Sequence, residues 1–179
     1  MNGFAPHTAM IVPSLKCEAH CSYCFGPHEG ERMPLGMVDE CARFLSGIWE
    51  NQRKRKIIFH GGEPLLAGHA WFEYALKTLS EALNHSALFS IQTNLWALDQ
   101  EYVDLFARYR VQISTSLDGD RETTDSQRGE GYFDQTMRGV KLLMENGIAV
   151  SAIATVTPHT IDRIPETISF FRSLDIPFS

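Results

Sequence analysis

Cys17, Cys21 and Cys24 stand in the run Cys17-Glu18-Ala19-His20-Cys21-Ser22-Tyr23-Cys24, a C-x3-C-x2-C spacing directly after a short apolar segment. Three thiolates this close on one loop can converge on a metal centre. Soft thiolate donors select iron–sulfur clusters, zinc or Cu(I). An ordinary [4Fe–4S] cluster takes four cysteines, so three leave one iron open to a ligand that reacts. Zinc is the competing occupant, because His28 follows and Cys17, Cys21, Cys24 and His28 could form a Cys3His site. Structural zinc sites usually draw on two separated knuckles, however, and here every candidate lies on one loop. Spacing alone ranks iron–sulfur first without deciding. The fourth cysteine, Cys41, lies in a helical stretch. It could be a remote fourth ligand, but free cysteine is often a small buried apolar residue.

Elements must exist to position such a centre. The chain of 179 residues suits one domain, and a hydrophobic fraction of 44% is enough for a real core. Four cysteines do not make a disulfide scaffold in a chain of this length. The formal net charge of −6 argues against a nucleic-acid partner. The basic run Arg53-Lys54-Arg55-Lys56 falls after a predicted helix and reads as a solvated helix end. No run approaches a membrane span, and the N-terminus lacks a signal-peptide pattern. Free thiols without an export signal point to the cytoplasm.

Strand-like and helix-like segments alternate. Strands are expected at 8–15, 56–60, 88–93, 111–117 and 149–156, with a sixth beginning at 176–179. Helices are expected at 36–50, 69–83, 99–108, 133–146 and 161–173. The first helix should bury Met37, Cys41, Phe44, Leu45 and Ile48, and the second Phe72, Leu76, Leu79 and Leu83, by helical spacing. Asp99 suits an N-cap and Gly147 a left-handed helix end. The alternation predicts an α/β fold with a parallel sheet, and nearly continuous apolar strands fit a sheet buried on both faces. Either a barrel or an open doubly wound sheet satisfies it. Unusual polar groups follow each strand: the cysteine loop, Gly61-Gly62-Glu63-Pro64, Gln92-Thr93-Asn94, Ser116-Leu117-Asp118-Gly119 and Thr155-Val156-Thr157-Pro158. In a parallel barrel those ends share the face that carries active sites. A zinc knuckle that merely braced the fold would not require this.

The cysteine loop, with Tyr23 before its last cysteine, together with the Gly-Gly-Glu-Pro run, resembles the radical S-adenosylmethionine (SAM) superfamily. Gln92-Thr93-Asn94, Ser116-Leu117-Asp118-Gly119 and the stretch through Arg128 are similar to its anaerobic sulfatase-maturating, peptide-modifying branch. The resemblance covers about residues 9 to 179. It implies a partial (β/α)6 TIM-like barrel forming one radical SAM core domain over 1–179, incomplete at its C-terminus. It implies a [4Fe–4S] cluster on Cys17, Cys21 and Cys24, with SAM on the open iron, cut to a 5′-deoxyadenosyl radical that takes hydrogen from a peptide or protein substrate. A flavodoxin- or ferredoxin-type electron donor would serve it. On the same resemblance Gly61, Gly62 and Glu63 receive the methionine part. Ser116 and Arg128 bind the carboxylate and ribose region. Tyr23, the Gly26 backbone and Val156 flank the adenine. Gln92 and Asn94 face the ribose or the substrate.

Taken singly, these residues have plainer readings. Gly-Gly-Glu-Pro is a common turn composition, Asp118-Gly119 a tight turn, Arg128 a surface arginine, and Gln92 and Asn94 backbone caps. His60 stands where some sulfatase maturases have glutamine. The cysteine-rich C-terminal extension of that branch is missing, so a fragment with an open, self-associating barrel edge is expected. A small-molecule radical SAM enzyme of cofactor biosynthesis, and a non-catalytic Fe–S or zinc module, remain as alternatives.

Overall fold

The computed structural model describes residues 6–49 and 55–179. Arg53 and Lys54 of the basic run lie outside them. Arg55 donates to Leu83 O and Ser86 Oγ at the end of the second helix.

The strands are β1 (Thr8–Ile11), β2 (Lys56–Phe59), β3 (Leu88–Thr93), β4 (Gln112–Ser116) and β5 (Val150–Ile153). The helices are α1 (Leu35–Ile48), α2 (His69–Ala82), α3 (Gln100–Tyr109), α4 (Arg121–Arg128), α5 (Tyr132–Glu145) and α6 (Ile164–Leu174). The strands form one sheet in the order β1-β2-β3-β4-β5, each pair parallel. The sheet is not closed. The expected sixth strand starts beside β5: Ala152 N donates to Pro177 O at 2.8 Å and Ser179 N to Ala152 O at 3.1 Å.

The sheet is not apolar on both faces, as continuous hydrophobic strands would make it. Successive side chains point to opposite faces. Ile57, Phe59, Phe89, Ile91, Ile113, Val150 and Ala152 are buried in the helix-side core. The alternate positions carry Ser90, Gln92, Ser114, Ser116 and Ser151, and Gln92, Ser114 and Ser151 share one row across β3, β4 and β5. That face also carries Met10, Ile58 and Ile153, so it is polar mainly along β3 and β4, which suits a lumen rather than a second core. Alternation was the better signal in these strands than apolar content.

Two helices depart from expectation. In α1 the buried residues are Val38, Ala42 and Leu45, with Trp49 just beyond, while Met37 and Phe44 are exposed. Of the positions that spacing picked out, Leu45 is buried and Cys41 and Ile48 are packed against the core, so the buried face is turned by about one position from the expected one. Helix α4 was not anticipated at all. Its sequence, RETTDSQR, has no apolar residue, so it shows no hydrophobic period. Its buried residues are Thr123, Thr124, Gln127 and Arg128. Its signals are polar: Asp120 caps it by accepting from Thr123 N at 2.9 Å, and Gly129 follows it with φ 104°. The α2 face Phe72, Leu76, Leu79 and Leu83 is buried as expected. Asp99 caps α3 through Tyr102 N at 3.0 Å, and Gly147 is left-handed at φ 68°.

Candidate functional site

The segments after all five strands meet at one cavity of about 290 Å³. Cys17, Cys21 and Cys24 line it, with Tyr23, Gly26, Gly61, Gly62, Glu63, Gln92, Asn94, Ser116 and Arg128. Val156 does not: it is 52% exposed, and β5 contributes Ile153 and Thr155 instead. Positions 155 and 156 lie beyond the end of β5 at Ile153.

The cysteine loop is tied at several points. Cys17 N donates to His28 O at 3.1 Å, Cys24 N to Cys21 O at 3.0 Å, and Gly26 N to Cys24 Sγ at 3.3 Å. Cys17 and Cys21 are half-buried and Cys24 is exposed. Burial pushes the Cys17 and Cys21 thiols up, while the Arg128 guanidinium pulls Cys21 back towards thiolate. Among the described residues no three His, Cys, Asp or Glu side chains are grouped closely enough to hold a metal ion, and this holds for Cys17, Cys21 and Cys24 as it does for the set with His28; the three thiols share the lining of one cavity.

The glycine turn is shaped by the protein itself before any ligand. Gly61 has φ 132°, and a Cβ there would meet Val12 Cγ1 at 2.6 Å. A Cβ on Gly62 would lie 2.3 Å from Leu15 O and 2.5 Å from Lys16 O. These glycines let the turn lie against the chain entering the cysteine loop. Gly62 N donates to Ser14 O and Glu63 N to Lys16 O, fastening the two segments.

The Glu63 side chain does not face the cavity as an open acid. It is 1% exposed, and Oε1 accepts from Thr93 Oγ1 at 2.6 Å and Leu65 N at 2.9 Å, while Oε2 accepts from Asn94 N at 2.7 Å. Burial pushes it up to about 7 against the pull of these donors. Glu63 thereby fixes Thr93 and Asn94 at the end of β3. Asn94 Oδ1 accepts from Trp96 N at 2.9 Å, and its buried Nδ2 has no partner. Gln92 Nε2 donates to Ser116 Oγ at 2.8 Å.

Arg128 is 6% exposed and is no surface arginine. Its fork is already engaged: Nε and one Nη donate to the two oxygens of Asp118, both at 2.8 Å. Its guanidinium carbon stands 5.4 Å from the Tyr23 ring centroid and 5.2 Å from that of Tyr132. A bidentate grip on an incoming carboxylate would have to displace Asp118, and the rest of the guanidinium faces Cys21 and Tyr132. Asp118 also accepts from Tyr23 Oη at 3.3 Å, Gln127 Nε2 at 3.0 Å and Thr155 N at 2.8 Å. The sequence placed the runs through Asp118 and Thr155 on the site's face without giving either residue a role, and it missed Gln127 and Tyr132 altogether. The available signal was Asp118, which shares strand parity with Ser116 and sits ten residues before an arginine.

The sequence pattern of the Radical SAM superfamily matches residues 11–171. The chain belongs to this superfamily. An uncharacterized protein of Methanothermobacter thermautotrophicus is 43% identical over 164 residues, spanning 90% of this chain and 62% of that one. A cysteine-type anaerobic sulfatase-maturating enzyme of Clostridium novyi is 26% identical, spanning 94% of this chain and 49% of that one. The solved structure of native anSMEcpe with bound AdoMet and Cp18Cys peptide matches with TM-score 0.86 at 24% identity, over 96% of this chain and 49% of its own. That likeness gives the fold: an α/β partial barrel with an open sheet. The chain spans about half to three fifths of the length of these relatives.

Radical SAM proteins hold a [4Fe–4S] cluster and SAM. The residues of this radical SAM chain fit both. The donor set is three thiols on one loop, chemically suited to iron–sulfur. The cavity beside them carries an orphaned amide donor at Asn94 and a buried cation at Arg128, complementary to a ligand with hydroxyl and carboxylate groups. Among the described residues no helix is long and apolar enough to cross a membrane.

Proposed function

We propose that this chain, over residues 1–179, is the radical SAM core domain of an enzyme that takes hydrogen from a peptide or protein side chain. The observation that carries the reading is that the cysteine loop and the ends of all five strands line one cavity. When bound, the cluster and SAM would supply a one-electron reductive cleavage that yields a carbon-centred oxidant. The protein's own contribution is placement and exclusion of water. Cys17, Cys21 and Cys24 would hold three irons, and the turn at Gly61, Gly62 and Glu63 would receive the amino acid end of SAM. Ser116 with Gln92 would address its ribose, and the Arg128 charge its carboxylate. Tyr23 and Gly26 would flank the adenine. Asn94 Nδ2 would donate to whichever of ribose or substrate reaches the floor.

A peptide or protein substrate is supported by the likeness to a sulfatase-maturating enzyme. A reductant of the flavodoxin or ferredoxin class would deliver the electron. A cytoplasmic enzyme is consistent with free cysteines at all four positions. Anaerobic reconstitution with iron and sulfide, followed by dithionite and SAM, tests the reading. The expected product is 5′-deoxyadenosine, with both brown colour and product lost in Cys21→Ala. Full iron–sulfur absorbance in Cys21→Ala would refute the ligand assignment, and a loaded wild-type protein that never cleaves SAM would refute the enzyme.

A further inference from the structure

Gln127 closes helix α4 and is 3% exposed. Its backbone carbonyl accepts two bonds from Ser22, from the amide at 2.7 Å and from Oγ at 3.0 Å. Ser22 directly follows Cys21 and stands two residues before Cys24. The side chain of Gln127 runs the other way. Nε2 donates to Asp118 Oδ2 and to Thr155 O, both at 3.0 Å, and Oε1 accepts from Thr160 Oγ1 at 3.3 Å. Both ends of the amide are in use, and those partners come from the end of β4, the end of β5 and the turn before α6. The same residue walls a second cavity, of about 690 Å³, between the cysteine loop and that turn.

We propose that Gln127 is a positioning residue for the cysteine loop. It holds the middle of the C-x2-C segment at a fixed depth by anchoring the last turn of α4 to β4 and β5. A buried amide satisfied at both ends has one low-energy placement, and its carbonyl inherits that placement. No apolar contact could replace it, because α4 buries only polar residues. Substitution of the side chain leaves the Ser22 bonds chemically available but frees the carbonyl that accepts them.

The test has one arm that needs no iron. In the apoprotein, hydrogen exchange at the Ser22 amide should accelerate about tenfold in Gln127→Ala, as expected for releasing one buried hydrogen bond, while amides of β3 and β4 keep their protection. In the iron-loaded protein, the same variant should lose iron to a chelator faster and show a shifted reduction potential in an EPR-monitored titration. This second arm rests on the cysteine assignment proposed above; the exchange arm does not, so the two failures are distinguishable. Wild-type Ser22 protection in Gln127→Ala would overturn the proposal, as would equal loss of protection across β3 and β4. If Gln127→Ala does not fold, Thr160→Val removes one anchor of the amide and is read the same way, with selective exposure of Ser22 expected and unchanged protection overturning the claim.

Discussion

Asp118 and Arg128, ten residues apart, face each other through two 2.8 Å hydrogen bonds with side-chain exposures of 0% and 6%. The pair joins the end of β4 to the end of α4, and Tyr23 of the cysteine loop closes over it. Removing one partner of a buried ion pair leaves an uncompensated charge. Arg128→Ala should therefore destabilise the apoprotein by about 3–5 kcal/mol. Arg128→Lys keeps the charge but not the fork, and should fall between wild type and alanine. Denaturant unfolding measures both, and an alanine variant within error of wild type would show that the pair does not hold the site.

Gly62→Ala should be severe although the change is one methyl group. The added Cβ would press on two backbone carbonyls, at 2.3 and 2.5 Å, and backbone cannot rotate away as a side chain can. The expected outcome is displacement of the cysteine loop, read as loss of iron binding with a lowered midpoint of unfolding. Gly47→Ala is the contrast. It lies inside α1 with nothing among the described residues within 4 Å of the new methyl, so it should stabilise by about 0.5–1 kcal/mol through helix propensity.

Glu63 gives a pH dependence with a definite sign. Burial raises it from an ordinary 4.5 to about 7, against the donors Thr93, Asn94 and Leu65. Between those values the folded protein keeps a proton that the unfolded chain has released, so stability from this group falls as pH rises through the window. Glu63→Gln cannot titrate there. It must also turn its amide NH2 towards one of three donors, at a cost of about 1–3 kcal/mol. The advantage of wild type over the variant should be largest near pH 4.5, shrink towards pH 7 and level off above. Unfolding of the apoproteins across that range checks it, and an advantage that grows with pH would mean the donors outweigh burial.

The two faces of α1 predict opposite outcomes for neighbouring residues. Leu45 is buried at 4% exposure and Phe44 is 65% exposed. Leu45→Ala should cost about 2–5 kcal/mol, whereas Phe44→Ser should stay within about 0.5 kcal/mol. Equal losses in thermal or denaturant unfolding would put the Met37–Phe44 stripe in contact with something.

The order of elements was legible in the chain because apolar runs and turn residues are local signals. β3 was placed to the residue, and Asp99 and Gly147 announced a helix start and a helix end by their own chemistry. The cysteine loop and the polar groups at strand ends were legible for the same reason, and parallel strands must bring those ends to one face.

What the linear pattern did not carry were choices between near-equal local options. Val38 and Ala42 join the expected Leu45 in facing inward while Met37 and Phe44 do not, and only packing against α2 and the rest of the core selects between them. Helix α4 is built from polar residues whose reason for burial is each other and the cysteine loop, so no periodicity announces it. Arg128 looks exposed until Asp118 is brought beside it, and nothing in the chain shows that Gly61 and Gly62 pack against the segment from Val12 to Lys16. Burial and partnership are properties of distance in three dimensions, and a run of letters fixes distance only between neighbours.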